Sequence, residues 1–206
     1  MIPKPLKDYI FKNARILPVV KKFSVHSIAK KKNINVFSVN RHSTQEVRNF
    51  IIENEIDYLL LGSSNWLIKK PILNINSCRI ISIHPGLLPA YKGLDSLQWT
   101  IMGGGKIGNT AFFIDESLDG GEILKFYEEE NLQEDTTAKI QRRMTAKKPA
   151  IYLDVLKGLK SKQIIPEKQL EGNKPFKPMS YEQLIEVEEI REYPMNCVTT
   201  FSRFKV

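Results

Sequence analysis

The sequence predicts an α/β protein in which a mostly parallel sheet has helices on both faces. Two observations predict it. Short apolar runs of strand length alternate with helix-period segments up to about residue 100, the pattern of strands joined by crossover helices. Two further strand-like runs, Asn109 to Asp115 and Glu122 to Tyr127, are joined by a glycine-containing turn and are expected to pair antiparallel.

The elements follow in order. After a Pro/Lys-rich start, Val25, Ile28 and Ala29 stand at helical spacing, and the helix should fray at Lys30–Asn33. Ile34 to Val39 alternates apolar and polar residues, which predicts a short strand. Ser43-Thr44-Gln45-Glu46 has the capping-box pattern, with the Ser43 hydroxyl as cap and Glu46 reaching back, and Val47, Phe50 and Ile51 form one helical face. Asp57 to Gly62 reads as a buried strand ending in a glycine; Arg79 to His84 reads as another, stopped by Pro85. Asp95 can cap a helix carrying Leu97, Trp99, Ile101 and Met102. A long helix is expected from about Asp135 to Leu159, kinked or broken at Pro149. The pattern weakens from Ser161, with a turn at Gly172–Pro175 and a short helix at Tyr181 to Glu192.

With 206 residues, 42% hydrophobic and 26% charged, the chain has the composition of a globular domain with one adequate core. The formal charge of +8 is scattered over short lysine clusters rather than drawn into a basic stripe interleaved with aromatics, so nucleic acid is not the implied partner. Apolar runs fall short of the roughly 18 residues of a membrane span, and the start lacks a signal-peptide pattern, so a cytoplasmic protein without a membrane partner is expected. Cys78 and Cys197, far apart, exclude a disulfide scaffold and a cysteine-rich zinc site. No metal-ligand cluster is visible.

Three histidines are present. His26 falls in a helix near a lysine cluster and His42 in a polar turn, both surface positions. His84 stands at the C-terminal end of a strand, the edge at which α/β sheets hold ligands, and Pro85 keeps its backbone extended. Ser82, two residues before it, leaves the same face of the strand.

The segment Ile81-Ser82-Ile83-His84-Pro85-Gly86-Leu87-Leu88-Pro89-Ala90-Tyr91-Lys92-Gly93, followed by Leu118-Asp119-Gly120-Gly121, resembles the folate-dependent formyltransferase family. That family includes glycinamide ribonucleotide transformylase, methionyl-tRNA formyltransferase and the sugar amine N-formyltransferases. Its signature joins an Asn-x-His-Pro, a Leu-Leu-Pro and an aromatic-x-Gly to a Leu-Asp-x-Gly about 35 residues past the His; here Asp119 lies 35 residues past His84. The resemblance runs from about Val25 to Leu159 and implies a Rossmann-like fold using 10-formyltetrahydrofolate as co-substrate. Carried over by position, His84 and Asp119 match the catalytic His and Asp, and Ser82 stands in the place of the catalytic Asn. A donor imidazole can stabilise charge on the formyl oxygen while a carboxylate fixes the ring and helps move the amine proton. Trp66, Leu67 and Ile68 match one wall of the pterin pocket. Asp115, Glu116 and Leu118 belong to the loop forming the other, which grips the pterin edge largely through backbone groups.

Two departures qualify the resemblance. Ser82 offers one donor on a shorter arm than the Asn it replaces. No apolar strand and glycine loop precede residue 25, so the first β-α-β unit is expected to be missing; the domain is read as 1–160, with 1–22 divergent and 161–206 a short C-terminal extension. The reading that follows is formyl transfer to a small-molecule primary amine, an amino sugar linked to a nucleotide. Three other readings stay open: a degenerate folate or partner binder, a phosphoribosylglycinamide-type enzyme, and a homodimer through the tail.

Overall fold

The computed structural model describes residues 25–62, 68–130, 135–170, 172 and 174–192. The chain divides into two compact units, Met1–His42 and Ser43–Val206. Of the first, the described part is helix α1 (Val25–Lys31) followed by irregular chain. Ile34 to Val39 is not a strand but irregular chain: the Ile34 N–H closes back on the Ala29 carbonyl at 2.8 Å, and Ile34, Val36, Phe37 and Val39 stand exposed. The expectation about a first β-α-β unit concerns residues 1–24, which lie outside the described ones.

The second unit is built on four strands in the order β1-β2-β3-β4: β1 (Tyr58–Leu60), β2 (Arg79–His84), β3 (Gly108–Phe113) and β4 (Ile123–Glu128). Only β1 and β2 run parallel; β2–β3 and β3–β4 are antiparallel, so the described sheet is mixed rather than mostly parallel. The connections account for the first and last of these pairings. A helix of four residues, α3 (Lys70–Leu73), lies on the crossover from β1 to β2, whereas β3 and β4 are joined by a loop too short for a crossover. The α/β class and the Rossmann-like architecture hold.

Helices cover both faces. Ile81 and Ile83 of β2, Ala111 and Phe113 of β3 and Leu124 of β4 pack on Ile151, Tyr152 and Val155 of α5 (Thr137–Lys160). On the opposite face Ile80 packs with Cys78, Ile72 of α3 and Ile51 of α2 (Gln45–Glu53). Burial pushes the Cys78 thiol pKa up, as befits an inert core residue. Truncating the fully buried Ile81 to Ala would cost about 2–5 kcal/mol. β1 is half exposed at the edge of the described sheet, not buried as its composition suggests.

Caps and breaks also differ from the sequence reading. Thr44, not Ser43, caps α2 by accepting from Val47 N–H at 3.3 Å, while the Ser43 hydroxyl accepts from Lys69 N–H at 3.0 Å and ties down the approach to α3. Asp95 precedes α4 (Ser96–Met102) with φ +50° and makes no side-chain cap; its carboxylate accepts instead from Met179 N–H at 2.9 Å. α5 runs unbroken through Pro149, which lies on its exposed face, where water can satisfy the carbonyl the proline leaves free. The buried Thr137, Ile140, Met144, Ile151 and Val155 recur at helical spacing on the other side.

The extension beyond residue 160 is no separate body. Glu167 and Ile123 exchange backbone hydrogen bonds of 2.9 and 2.8 Å. Helix α6 (Tyr181–Glu192) brings Val187, Leu184 and Ile190 into a core shared with Leu97 and Ile101 of α4 and Ile140 and Met144 of α5.

Candidate active site

His84 is the last residue of β2, and its ring is buried against the sheet with the Phe112 ring edge-on at 6.4 Å. The turn after Pro85 brings the chain back so that the Tyr91 carbonyl accepts from His84 Nε2 at 2.6 Å. That bond fixes the tautomer: Nε2 carries the proton, and Nδ1 is the free nitrogen. Nδ1 faces Asp119 Oδ2 at 3.5 Å. The same carboxylate oxygen accepts from Gly93 N–H at 2.8 Å.

Burial pushes the His84 pKa below its ordinary value; the Asp119 charge and the Tyr91 carbonyl pull it upward, and the Lys148 charge adds to the lowering. The ring is therefore neutral near pH 7, and the 3.5 Å approach is a lone pair facing a carboxylate, which becomes an ion pair only when Nδ1 takes up a proton. Both neighbours of the ring are acceptors. The arrangement is poised to receive a proton at Nδ1 and stabilise it there.

Backbone geometry makes this approach possible. Asp119 has φ +51°, an uncommon conformation for a side-chain-bearing residue, and a Cβ at the next glycine but one, Gly121, would collide with the Phe113 carbonyl. Gly93 has φ +97°, and a Cβ there would strike the backbone of Phe176. The two glycines of the signature thus admit close backbone approaches on either side of the pair.

Ser82 projects from the same face of β2 as His84, half-buried beside Phe112 across the strand pair. Of the residues expected around the pterin, Trp66 and Leu67 lie outside the described residues. Ile68 and Glu116 come together at a groove of about 480 Å³, lined also by Lys69, Lys70, Pro71 and Leu73. Lys70 Nζ and Glu116 Oε1 face each other across it at 3.9 Å. Asp115 and Leu118 are exposed, and the Asp115 carboxylate folds onto its own loop, accepting from Ser117 N–H at 2.8 Å and Ser117 Oγ at 2.5 Å. A second cavity of about 370 Å³ is lined by Asp115, Gly120, Gly121, Arg79, Lys168 and Gln169 among others; His84 lines neither. An apolar floor with a few polar groups at its rim fits a flat heterocycle with a hydrogen-bonding edge. Among the described residues no three His, Cys, Asp or Glu side chains gather as a metal would need, and no helix is long and apolar enough to cross a membrane.

Sequence reasoning left the Tyr91 carbonyl, the Gly93 N–H and Gln169 without roles. The first two lie inside the aromatic-x-Gly motif, where the working groups are backbone atoms rather than side chains. Gln169 donates from Nε2 to the carbonyls of Asp119 at 2.9 Å and Gly121 at 2.7 Å, and no local pattern announces it.

A family model described as formyl transferase matches residues 13–156. Methionyl-tRNA formyltransferase of Clostridium perfringens is 26% identical over 170 residues, 80% of this chain and 54% of that protein. The chain spans about half the length of the curated relatives it matches. Phosphoribosylglycinamide formyltransferase of Anaplasma phagocytophilum superposes with a TM-score of 0.59 at 25% identity, covering 71% of this chain and 74% of that one. The formyltransferase PseJ of Anoxybacillus kamchatkensis, solved in complex with UDP-4,6-dideoxy-4-formamido-L-AltNAc and tetrahydrofolate, gives 0.54 at 20% identity, covering 72% and 77%.

Proposed function

The chain belongs to the folate-dependent formyl transferase family, and we propose that it transfers a formyl group from 10-formyltetrahydrofolate to the primary amine of a nucleotide-linked amino sugar. The observation that carries the reading is the meeting of His84 and Asp119, 35 residues apart in sequence and 3.5 Å apart in space, within the matched region.

The donor supplies an activated formyl carbon, and the chain's residues handle the proton. As the acceptor nitrogen bonds to that carbon its proton must leave, and the free Nδ1 of neutral His84 is the base in place to take it. The imidazolium then has an acceptor at each nitrogen, Tyr91 carbonyl at Nε2 and Asp119 at Nδ1, in a site where burial strengthens both interactions. The same proton passes to the departing folate nitrogen as its bond to the formyl carbon breaks, so that neither acid nor base is consumed. Ser82, on the same face, supplies a hydroxyl toward the charge developing on the formyl oxygen. The groove at Ile68, Leu73 and Glu116 takes the pterin, with the apolar side chains below it and the Asp115–Leu118 loop along its edge.

The amino sugar is favoured by the sugar-type formyltransferase among the similar structures. A folate-binding protein without transfer is the second reading, favoured by Ser82 in place of the Asn. The test is calorimetric titration with 5-formyltetrahydrofolate, followed by a transfer assay from 10-formyltetrahydrofolate to nucleotide-linked amino sugars, phosphoribosylglycinamide and methionyl-tRNA. Transfer to the sugar is expected. Saturable folate binding with no transfer to any amine would put the second reading in its place, and a folded protein that binds no folate would overturn both.

A further inference from the structure

The polypeptide after α5 returns to the His84–Asp119 pair at two points. At the first, reciprocal backbone bonds between Glu167 and Ile123 seat Gln169 against the loop that carries Asp119. Gln169 Nε2 then donates to the Asp119 and Gly121 carbonyls, spanning the left-handed turn from both ends. The orientation of this amide is set by its neighbours, because the opposite one would aim Oε1 at two carbonyl oxygens. At the second, Phe176 N–H donates to the Lys92 carbonyl at 2.8 Å, and the Phe176 carbonyl accepts from Leu94 N–H at 3.1 Å. These bonds hold Gly93 where its N–H meets Asp119, and the Phe176 ring stacks on Trp99 at 4.8 Å. Gln169 Oε1 is buried with no partner among the described residues, an arrangement that stability alone does not favour.

We propose that Gln169 is a positioning residue for the reaction: by clamping the backbone on both sides of the Asp119 turn it holds that carboxylate against His84. The catalytic consequence rests on the formyl-transfer reading; the clamp itself does not.

The experiment is a histidine-ring NMR titration of the full chain, with the His84 signal assigned by its loss in His84→Gln. His84 is faced by the Asp119 carboxylate from the β3–β4 loop, the Tyr91 carbonyl from the loop after β2, the Phe112 ring from β3 and the Lys148 charge from α5. Asp119→Asn removes the negative charge and lowers the His84 titration midpoint. Gln169→Met, which keeps the volume and loses both donors, lowers it part of the way and adds nothing in the Asp119→Asn background. An unchanged midpoint in Gln169→Met overturns the proposal, as does an equal shift with or without the Asp119 carboxylate, since that would mark general loosening. Should Gln169→Met fail to fold, Gln169→Asn, with the amide on a shorter arm, gives a smaller shift in the same direction. In the transfer assay Gln169→Met lowers kcat about ten- to hundredfold at little-changed KM for the amine, the scale of a misplacement of about 1 Å. A raised KM at unchanged kcat would overturn the positioning role. A protein inactive towards every amine would refute the formyl-transfer reading and leave the titration to decide the clamp.

Discussion

His84 and Asp119 are held from several directions, whereas the groove at Ile68 to Leu73 is open across its mouth. The ring nitrogen is tied to a carbonyl at 2.6 Å, the carboxylate to an N–H at 2.8 Å, and the loop behind it to a side-chain amide at 2.9 and 2.7 Å. Across the groove the described contact is a 3.9 Å ion pair between Lys70 and Glu116, whose side chains are 75% and 68% exposed and which is worth little in water. The contrast follows from what each place has to do. A proton transfer fails when donor and acceptor drift by an ångström, so its geometry is built before substrate arrives. A flat ring sliding into an apolar slot needs area and a few edge contacts, and tolerates a slot that adjusts around it.

Removing the base should therefore have the largest effect. His84→Ala leaves neither proton acceptor nor ring between Tyr91 and Asp119, and formyl transfer should fall at least a thousandfold while 5-formyltetrahydrofolate still binds, read by a transfer assay beside calorimetry. Retained activity would sink the assignment of His84. The pH profile of the native chain sharpens the same point. A His84 that must be neutral to act loses activity as pH falls through its pKa, and because burial lowers that pKa, the acid limb should lie below pH 6.5. Stability moves in the same sense. The unfolded chain takes up this proton at a pH where the folded one does not, so the contribution of His84 to stability is present above about pH 6.5 and is lost as pH falls below it.

These residues were unequally legible. His84 could be read because a strand end followed by proline is a local feature, and Asp119 because the signature gives its spacing. Gln169 could not: it is a lone glutamine in a weakly patterned stretch, and its role comes from a loop 48 to 50 residues away. Ile34 to Val39 failed in the opposite way, since alternation describes a face and says nothing of whether a neighbouring strand is present to complete the bonding. Between Ser43 and Thr44 the local chemistry is nearly degenerate, and the tertiary demand of Lys69 N–H took one hydroxyl and left the other to cap the helix. Asp95 was likewise claimed by Met179. In each case a polar side chain with two plausible local uses went to the one that joined distant segments.

Ser82 tests whether the rigid side of the site tolerates improvement. A single missing donor to a developing oxyanion typically costs about a hundred- to thousandfold, so an amide restored at this position has room to act. Ser82→Asn should raise kcat by about tenfold, the full gain being limited because the neighbours of Ser82, Phe112 among them, are packed around a smaller side chain. A fall in rate would show that the hydroxyl is fitted to its place and that the acceptor differs from those the amide serves.

The smallest effect belongs to the open side. Ile68 both lines the groove and packs against the α2–α3 core with Ile72, so only part of its surface is available to a ligand. Ile68→Ala removes that part and leaves the polar rim in place. Affinity for 5-formyltetrahydrofolate should weaken about fivefold, short of the roughly tenfold or more that a fully engaged apolar group costs, with kcat at saturating folate little altered. If kcat fell with the affinity, the groove and the proton-transfer pair would be mechanically joined, and the contrast between a fixed centre and an adaptable slot would be wrong. An unaltered affinity would move the pterin away from this wall, toward the second cavity at Arg79, Gly121 and Lys168.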